Sequence, residues 1–403
     1  MALFDPRRHE PLADQPWDES LACAAIERIA ADAHAAFDGE GLWPIHPIDR
    51  SPARADVLKP LYYGAAGVIW TLRALDAAGF APLERDYLPA VERLLAAHRA
   101  DSLRLTGQPI LAYPVGDAGI LLLHWSLAPT QALADELDAV IRANRHHPSR
   151  GFAWGAPGSM LAALFMFERT GQARWSALYL ELFEDLWRSW ERDVGLGCHL
   201  WMQDLYGVRE RRVAALHGLA GNLACMLRGR ALLLPERRAE LERRSHEALR
   251  ATALREGPHA NWPLSVEAPA EPTERVLRVQ HCIGAPGMVS CLAALPREPE
   301  TDALLLAAGE LTWLAGPPQK LPSLCHGAPG SGYAFLKLHA RTGDERWLER
   351  ARRFGMHAIA QAERGVAEHG QRKFSLWTGD LGLAMYLCDC IRARDAFPTL
   401  DVF

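Results

Sequence analysis

Cys325 and His326 stand side by side directly before Gly327-Ala328-Pro329-Gly330. A thiolate and an imidazole are ligands that suit zinc, and here they adjoin a backbone step free of bulky side chains. The same Gly-x-x-Gly step recurs at Gly64/Gly67, Gly116/Gly119, Gly155/Gly158, Gly218/Gly221, Gly284/Gly287, Gly327/Gly330 and Gly379/Gly382. At the two positions before each first glycine the copies read Tyr62-Tyr63, Pro114-Val115, Ala153-Trp154, Leu216-His217, Cys282-Ile283, Cys325-His326 and Trp377-Thr378. Only the fourth, fifth and sixth copies carry metal-capable or proton-transferring groups there. Cys282, Cys325 and His326 together make an open Cys2His set for Zn2+, with one coordination position left for water or substrate. The spacing from Cys282 to Cys325 fits no zinc-finger pattern, so this reading depends on repeat register. His217 falls beside the same centre by register and reads as an acid/base group.

The elements that position these residues follow from the repeats. Each Gly-x-x-Gly precedes an apolar, helix-like stretch, and the copies keep register beyond the motif. Arg169-Thr170-Gly171 and Arg174-Trp175 follow Gly155 at the offsets at which Arg341-Thr342-Gly343 and Arg346-Trp347 follow Gly327. Motif, inner helix, Thr-Gly turn and outer helix therefore repeat as one unit, and seven units read as a helical array. Inner stretches such as Ile120-Leu-Leu-Leu and Met160-Leu-Ala-Ala-Leu-Phe are apolar all round, as buried helices are. The expected fold is all-α: an α/α toroid of seven helical hairpins, forming one domain over residues 1–403. Residues 1–60 would be an amino-terminal extension whose amphipathic helix, from Trp17 to about Phe37, packs outside the first repeat. Outer helices are expected at Tyr87–Arg99 and Trp175–Trp190, and the fourth inner helix should reach about Leu234. The stretches Glu191–Arg212 and Glu256–Pro272, the latter with Trp262, read as rim loops over a site.

Composition narrows the partners. Lys plus Arg number 44 against 49 acidic residues, a net charge of −5 without blocks, which argues against nucleic acid or an anionic membrane. No apolar run has the length and freedom from charge of a transmembrane segment or a signal peptide. Eight irregularly spaced cysteines do not make a disulfide framework, so a cytoplasmic location is expected. Cys23, Cys225, Cys291, Cys388 and Cys390 read as packing residues, and His246, His339 and His357 as hydrogen-bonded polar groups.

The motifs Tyr63-Gly-Ala-Ala-Gly67, Gly116-Asp-Ala-Gly119, His217-Gly-Leu-Ala-Gly221, Cys282-Ile-Gly-Ala-Pro-Gly287, Cys325-His-Gly-Ala-Pro-Gly330 and Phe374-Ser-Leu-Trp-Thr-Gly379 resemble those of the lanthionine synthetase C-like (LanC-like) family. The resemblance covers nearly the whole chain. Gly116-Asp117-Ala118-Gly119, Tyr333-Ala334-Phe335-Leu336 and Phe397-Pro398 are nearer the eukaryotic LanC-like branch than the bacterial lantibiotic cyclases. It implies a toroid with zinc on Cys282, Cys325 and His326, a catalytic histidine at His217, and a functional arginine at Arg278. It further implies that Lys320 and an amino-terminal arginine, Arg7 or Arg8, bind glutathione. Two departures stand out. The family pattern has Trp before the first zinc ligand and His or Tyr after it, where this chain has His281 and Ile283, so His281 becomes a candidate substrate-site side chain. The cyclases carry an acidic residue shortly before the third motif, where this chain reads Gly151-Phe152-Ala153.

The expected chemistry is zinc-dependent addition of a thiol, from glutathione or a peptide cysteine, to dehydroalanine or dehydrobutyrine, forming a thioether. His217 would move the proton, and Arg278 would stabilise an enolate oxygen or bind a carboxylate. Two alternatives stay open: a lanthionine cyclase for a ribosomal peptide, and a zinc-stabilised scaffold that binds glutathione or a peptide without turnover. No dehydratase-like stretch is legible before the first repeat, so dehydration is expected to fall to a separate protein.

Overall fold

The computed structural model of the chain describes residues 2–40, 42–50, 58–267 and 277–403. Residues 51–57 of the expected amino-terminal extension and 268–272 of the expected rim loop lie outside them. Among the described residues α1 (Glu19–Ala35) is followed by six hairpins in chain order. They are α2 (Ala65–Ala77) with α3 (Leu88–Thr106), α4 (Asp117–Leu127) with α5 (Gln131–Ala143), and α6 (Ala156–Thr170) with α7 (Ala173–Arg188). Then come α8 (Leu219–Arg228) with α9 (Pro235–Ala251), α10 (Ala285–Leu292) with α11 (Pro299–Ala315), and α12 (Ala328–Thr342) with α13 (Glu345–His369). Helix α14 (Asp380–Arg392) ends the series. The even-numbered helices touch in sequence order, and α14 returns to α2, closing an inner ring inside an outer one. The fold is an α/α toroid.

Inner helices are buried on every side: each residue from Ala156 to Met166 in α6, and from Ala328 to Leu338 in α12, is buried. Outer helices bury one stripe, as in α7 with Trp175, Leu178, Tyr179, Leu182, Phe183 and Leu186. The shared register of repeats three and six is visible in detail. Gly171 and Gly343 both take left-handed conformations that end their helices. Arg174 lies over the Trp175 ring at 4.7 Å, and Arg346 over Trp347 at 5.0 Å.

Three sequence expectations are corrected. Helix α1 packs on α14 and α13, so it is the outer helix of the seventh unit and does not lie outside the first repeat. Helix α8 stops at Arg228, short of Leu234. The Tyr179 hydroxyl donates to the carbonyls of Cys225 and Met226, and Gly229 lies directly against the Tyr179 ring. Helix α3 runs on past Arg99 to Thr106, where Gly107 at φ 76° ends it.

The repeats meet the site through a collar of backbone hydrogen bonds. The residue two before each first glycine donates its N–H to the corresponding carbonyl of a neighbouring unit. These bonds are Tyr62 to Pro114 (2.7 Å), Ala153 to Leu216 (3.2 Å), Leu216 to Cys282 (3.5 Å), Cys282 to Cys325 (2.9 Å), Cys325 to Trp377 (2.8 Å) and Trp377 to Tyr62 (2.9 Å). Pro114 has no N–H, and there the collar is open. The second glycine of every motif explains why the motif repeats: a Cβ at Gly67, Gly119, Gly158, Gly221, Gly287, Gly330 or Gly382 would overlap the carbonyl oxygen six residues earlier.

Three short antiparallel hairpins complete the described chain: β1 (Glu191–Asp193) with β2 (Cys198–Leu200), β3 (Gln203–Leu205) with β4 (Val208–Glu210), and β5 (Leu254–Glu256) with β6 (His259–Asn261). Tyr206 and Gly207, both at positive φ, make the two-residue turn between β3 and β4. The last residues fold back into the ring, where the Tyr113 hydroxyl donates to the Thr399 carbonyl (3.0 Å) and Trp377 Nε1 to Thr399 Oγ1 (2.8 Å).

Candidate metal centre and its surroundings

The collar assigns each register position a role. Three before the first glycine stand Leu61, Tyr113, Phe152, Ala215, His281, Leu324 and Leu376, all buried. Two before it, every residue is again buried; one before it, all but Val115 are half-buried at the mouth. Cys282 and Cys325 therefore meet through adjacent collar strands, while His217 and His326 sit one step nearer solvent.

The backbone bond from Cys282 N–H to the Cys325 carbonyl (2.9 Å) sets the two thiols close enough to shift each other's pKa. Cys325 holds Cys282 below the ordinary thiol range, while Cys325 itself is pushed up by Cys282 and by burial. Gln280 Nε2 donates to Cys282 Sγ at 2.9 Å, and the neighbouring Tyr62 hydroxyl draws the Cys325 pKa back down. Lys320 and Arg278 add a smaller electrostatic pull on Cys282. His326 borders a cavity of about 580 Å3 that Tyr62, Tyr63, Trp154, Tyr206, Lys373 and Thr378 also line. Burial, with Lys320 and Lys373 nearby, lowers its pKa to about 4. Among the described residues no three His, Cys, Asp or Glu side chains converge tightly enough to hold an ion. The structure thus brings the two thiols together and places His326 on the bordering cavity wall.

A second cavity, of about 200 Å3, is lined by Arg7, Arg8, Arg278, Gln280 and Lys320 among others. The amino-terminal segment is tied there by backbone bonds from Gln319 N–H to the Arg8 carbonyl (2.9 Å) and from Glu10 N–H to the Pro317 carbonyl (3.0 Å). Asp5 pairs with Arg7 (3.0 Å) and more distantly with Arg8 (3.9 Å). Lys320 and Arg278 have no carboxylate partner among the described residues, and Arg278 Nε is buried without a hydrogen bond. Burial is the main cause of the lowered pKa of Lys320. Residues 270 apart in the chain thus form one cationic pocket beside Cys282.

His217 is half-buried, and burial, with Arg212 second, lowers its pKa to about 4, so the imidazole is neutral at pH 7. Its Nδ1 has no partner. His281 departs from expectation. Its place three before the glycine turns it into the ring's interior, where it stacks on Phe397 (centroids 4.3 Å apart) beside Trp377. Burial lowers its pKa to about 3, and it lines neither cavity. Trp262, read as part of a rim loop, is also buried, donating through Nε1 to the Leu249 carbonyl (3.1 Å). Of the two expected rim loops, Glu191–Arg212 supplies Tyr206, in the β3–β4 turn, to the wall of the larger cavity.

Sequence reasoning missed Gln280, Tyr62 and Asn261. Gln280 has no motif signal, and Tyr62 was visible only as an aromatic in collar register. Asn261 shapes the Cys282 loop: its Oδ1 accepts from Ala285 N–H (2.8 Å) at the start of α10, and its Nδ2 donates to the Arg278 carbonyl (3.1 Å). Gly284 is the one motif-opening glycine at positive φ, 108°, and a side chain there would press on Asn261 Oδ1 and the Arg278 carbonyl.

Comparison with known proteins agrees with this architecture. A Danio rerio protein named glutathione S-transferase LANCL1 is 34% identical over 151 residues, spanning 35% of this chain and 36% of the relative. The Arabidopsis thaliana LanC-like protein GCL1 is 29% identical over 150 residues, 35% of this chain and 33% of the relative. The alignments thus span about a third of these curated relatives. The structure of nisin cyclase superposes with a TM-score of 0.59 at 15% identity, covering 92% of this chain and 94% of that one, which is a likeness of fold. Residues 59–402 match the family described as lanthionine synthetase C-like protein, and the chain belongs to that family.

Proposed function

We propose that the protein adds the thiol of glutathione to dehydroalanine- or dehydrobutyrine-type alkenes, with zinc held by Cys282, Cys325 and His326. The observation that carries this reading is the thiol pair, with Gln280 linking Cys282 to the pocket of Arg8, Arg278 and Lys320 and with His326, next to Cys325, on the wall of the larger cavity. Two thiols on adjacent collar positions, with an imidazole on the next residue, fit a soft N/S-liganded ion. Zinc, when bound there, lowers the pKa of a substrate thiol and keeps its thiolate in place.

The chain's own groups supply the rest. Lys320, Arg278 and Arg8 offer cations to the two carboxylates of the tripeptide, which favours carboxylate binding over enolate stabilisation for Arg278. The aromatic wall of Tyr63, Trp154 and Tyr206 suits a peptide bearing the alkene. His217, neutral at pH 7, is the base that takes the S–H proton and returns it to the α-carbon as the C–S bond forms at the β-carbon. The curated relative named a glutathione S-transferase supports the choice of thiol. A reducing, cytoplasmic setting accords with eight free cysteines. No helix among the described residues is long and apolar enough to cross a membrane.

The test is to incubate the purified protein with a dehydroalanine peptide, with and without glutathione, and follow mass. A gain of one glutathione per alkene is expected. Cyclisation of a peptide through its own cysteine, with no glutathione adduct, would establish the cyclase instead. Neither product would leave the scaffold.

A further inference from the structure

Buried polar atoms without partners gather around Gly151. Gln203, the first residue of β3, is 1% exposed, yet neither its Oε1 nor its Nε2 makes a hydrogen bond. His217 Nδ1, Ser149 Oγ and Asn222 Oδ1 are in the same state. All belong to residues packed on the loop 147–151. Asn222 Nδ2 donates to the Arg150 carbonyl (2.8 Å), and Asp204 N–H donates to the Pro148 carbonyl (3.0 Å), which pins β3 there. The closest approach is at Gly151, where a side chain would meet His217 Cα at 3.1 Å and Gln203 Oε1 at 3.3 Å. The bare glycine lets the hairpin amide come up to the backbone of His217.

Buried side-chain amides are nearly always hydrogen-bonded, and packing alone would be served by leucine. A neutral imidazole carries its proton on one nitrogen, chosen by the partner of that nitrogen. We infer that Gln203 is a positioning residue for His217: the two groups are unbonded as they stand, and a turn of the amide toward the ring lets Oε1 accept from Nδ1–H and leaves Nε2 as the basic nitrogen. The charged group beside His217, Arg212, offers no acceptor and is itself engaged by Glu210 (2.6 Å). The catalytic consequence rests on the function proposed above. The tautomer does not.

The experiment compares wild type with Gln203→Leu, which keeps the volume and removes the acceptor, and Gln203→Glu, which retains an acceptor. Ring-15N-labelled histidine is observed by NMR, with the His217 signals assigned by their loss in His217→Asn. Turnover is measured with glutathione and a dehydroalanine peptide. Wild type should show the Nδ1–H tautomer at pH 7. Gln203→Leu should mix the tautomers and lower kcat roughly 10- to 100-fold with KM for glutathione unchanged, and Gln203→Glu should restore the tautomer and most of kcat. Wild-type His217 signals and kcat in Gln203→Leu would overturn the inference. Should that variant not fold, an Nδ1–H signal of His217 in Gln203→Glu no different from wild type, with no downfield shift against the carboxylate, overturns it as well. A protein inactive toward both substrates refutes the proposed function, and the ring spectra still decide this one.

Discussion

Replacing Gly330 by alanine tests the idea that the collar holds the ligands. Gly330 lies in the first turn of α12, where helix propensity alone favours alanine by about 1 kcal/mol. The structure reverses that sign. A Cβ at 330 would overlap the Leu324 carbonyl oxygen and press on His281 Cβ at 3.1 Å. Leu324 immediately precedes Cys325, whose N–H donates to Trp377 (2.8 Å) and whose carbonyl accepts from Cys282 (2.9 Å). Moving the carbonyl strains both bonds, at about 0.5–1.5 kcal/mol each, and overpacking of a dense interior adds about 1–3 kcal/mol. Net destabilisation of about 1–5 kcal/mol follows, together with a fall in zinc content. Gly343→Ala, at the other end of the same helix, is the control. At φ 71° with open space around it, it should cost about 1–2 kcal/mol and leave zinc unchanged. Urea midpoints and metal content of the two variants decide the matter. A Gly330→Ala protein as stable as wild type and fully metallated would refute the reasoning.

Elemental analysis should find about one zinc per chain, with substantial loss in Cys282→Ala and in Cys325→Ala, since a three-ligand site does not survive loss of one. His217→Asn should keep zinc and fold while losing roughly 10²–10⁴ in rate, the usual contribution of a general acid/base; a rate equal to wild type would move proton transfer elsewhere. Because the folded pKa of His217 is depressed to about 4, the unfolded chain takes up its proton as pH falls below about 6.5 while the folded chain does not. Its contribution to stability is therefore complete above about pH 6.5 and is lost on acidification toward pH 4, at no more than about 1.4 kcal/mol per pH unit. Denaturation of wild type and His217→Asn across that window should differ in slope by that amount, wild type being steeper. Lys320→Ala should raise KM for glutathione several-fold and leave zinc content and reaction with a small neutral thiol unchanged; an equal effect on both thiols would show that Lys320 does not read the carboxylates.

Much of this architecture is written locally. The glycine that must lie against a carbonyl recurs in every unit because the same close approach recurs, and a Cβ would block it each time. That necessity makes the motif periodic, and the period alone places Cys282, Cys325 and His326 at matching positions of neighbouring units. The buried inner helices and the Arg-Thr-Gly turns of repeats three and six were legible for the same reason: each depends on neighbours a few residues away.

What the sequence could not decide was where separate stretches meet. The amphipathic stripe of α1 says that one face is buried, but not against what. The closing gap beside α14, present only once the ring exists, receives it. His281 looked like a site residue because it adjoins Cys282. One backbone step reverses which way a side chain points, so it packs on Phe397 inside the ring. The cationic pocket joins residues 7–8 to 278 and 320, and the β3–β4 hairpin brings Gln203 to Gly151, against the backbone of His217. Local spacing carries the register of a repeat, whereas contacts between distant segments are set by the closure of the toroid and by the side chains excluded at each close approach.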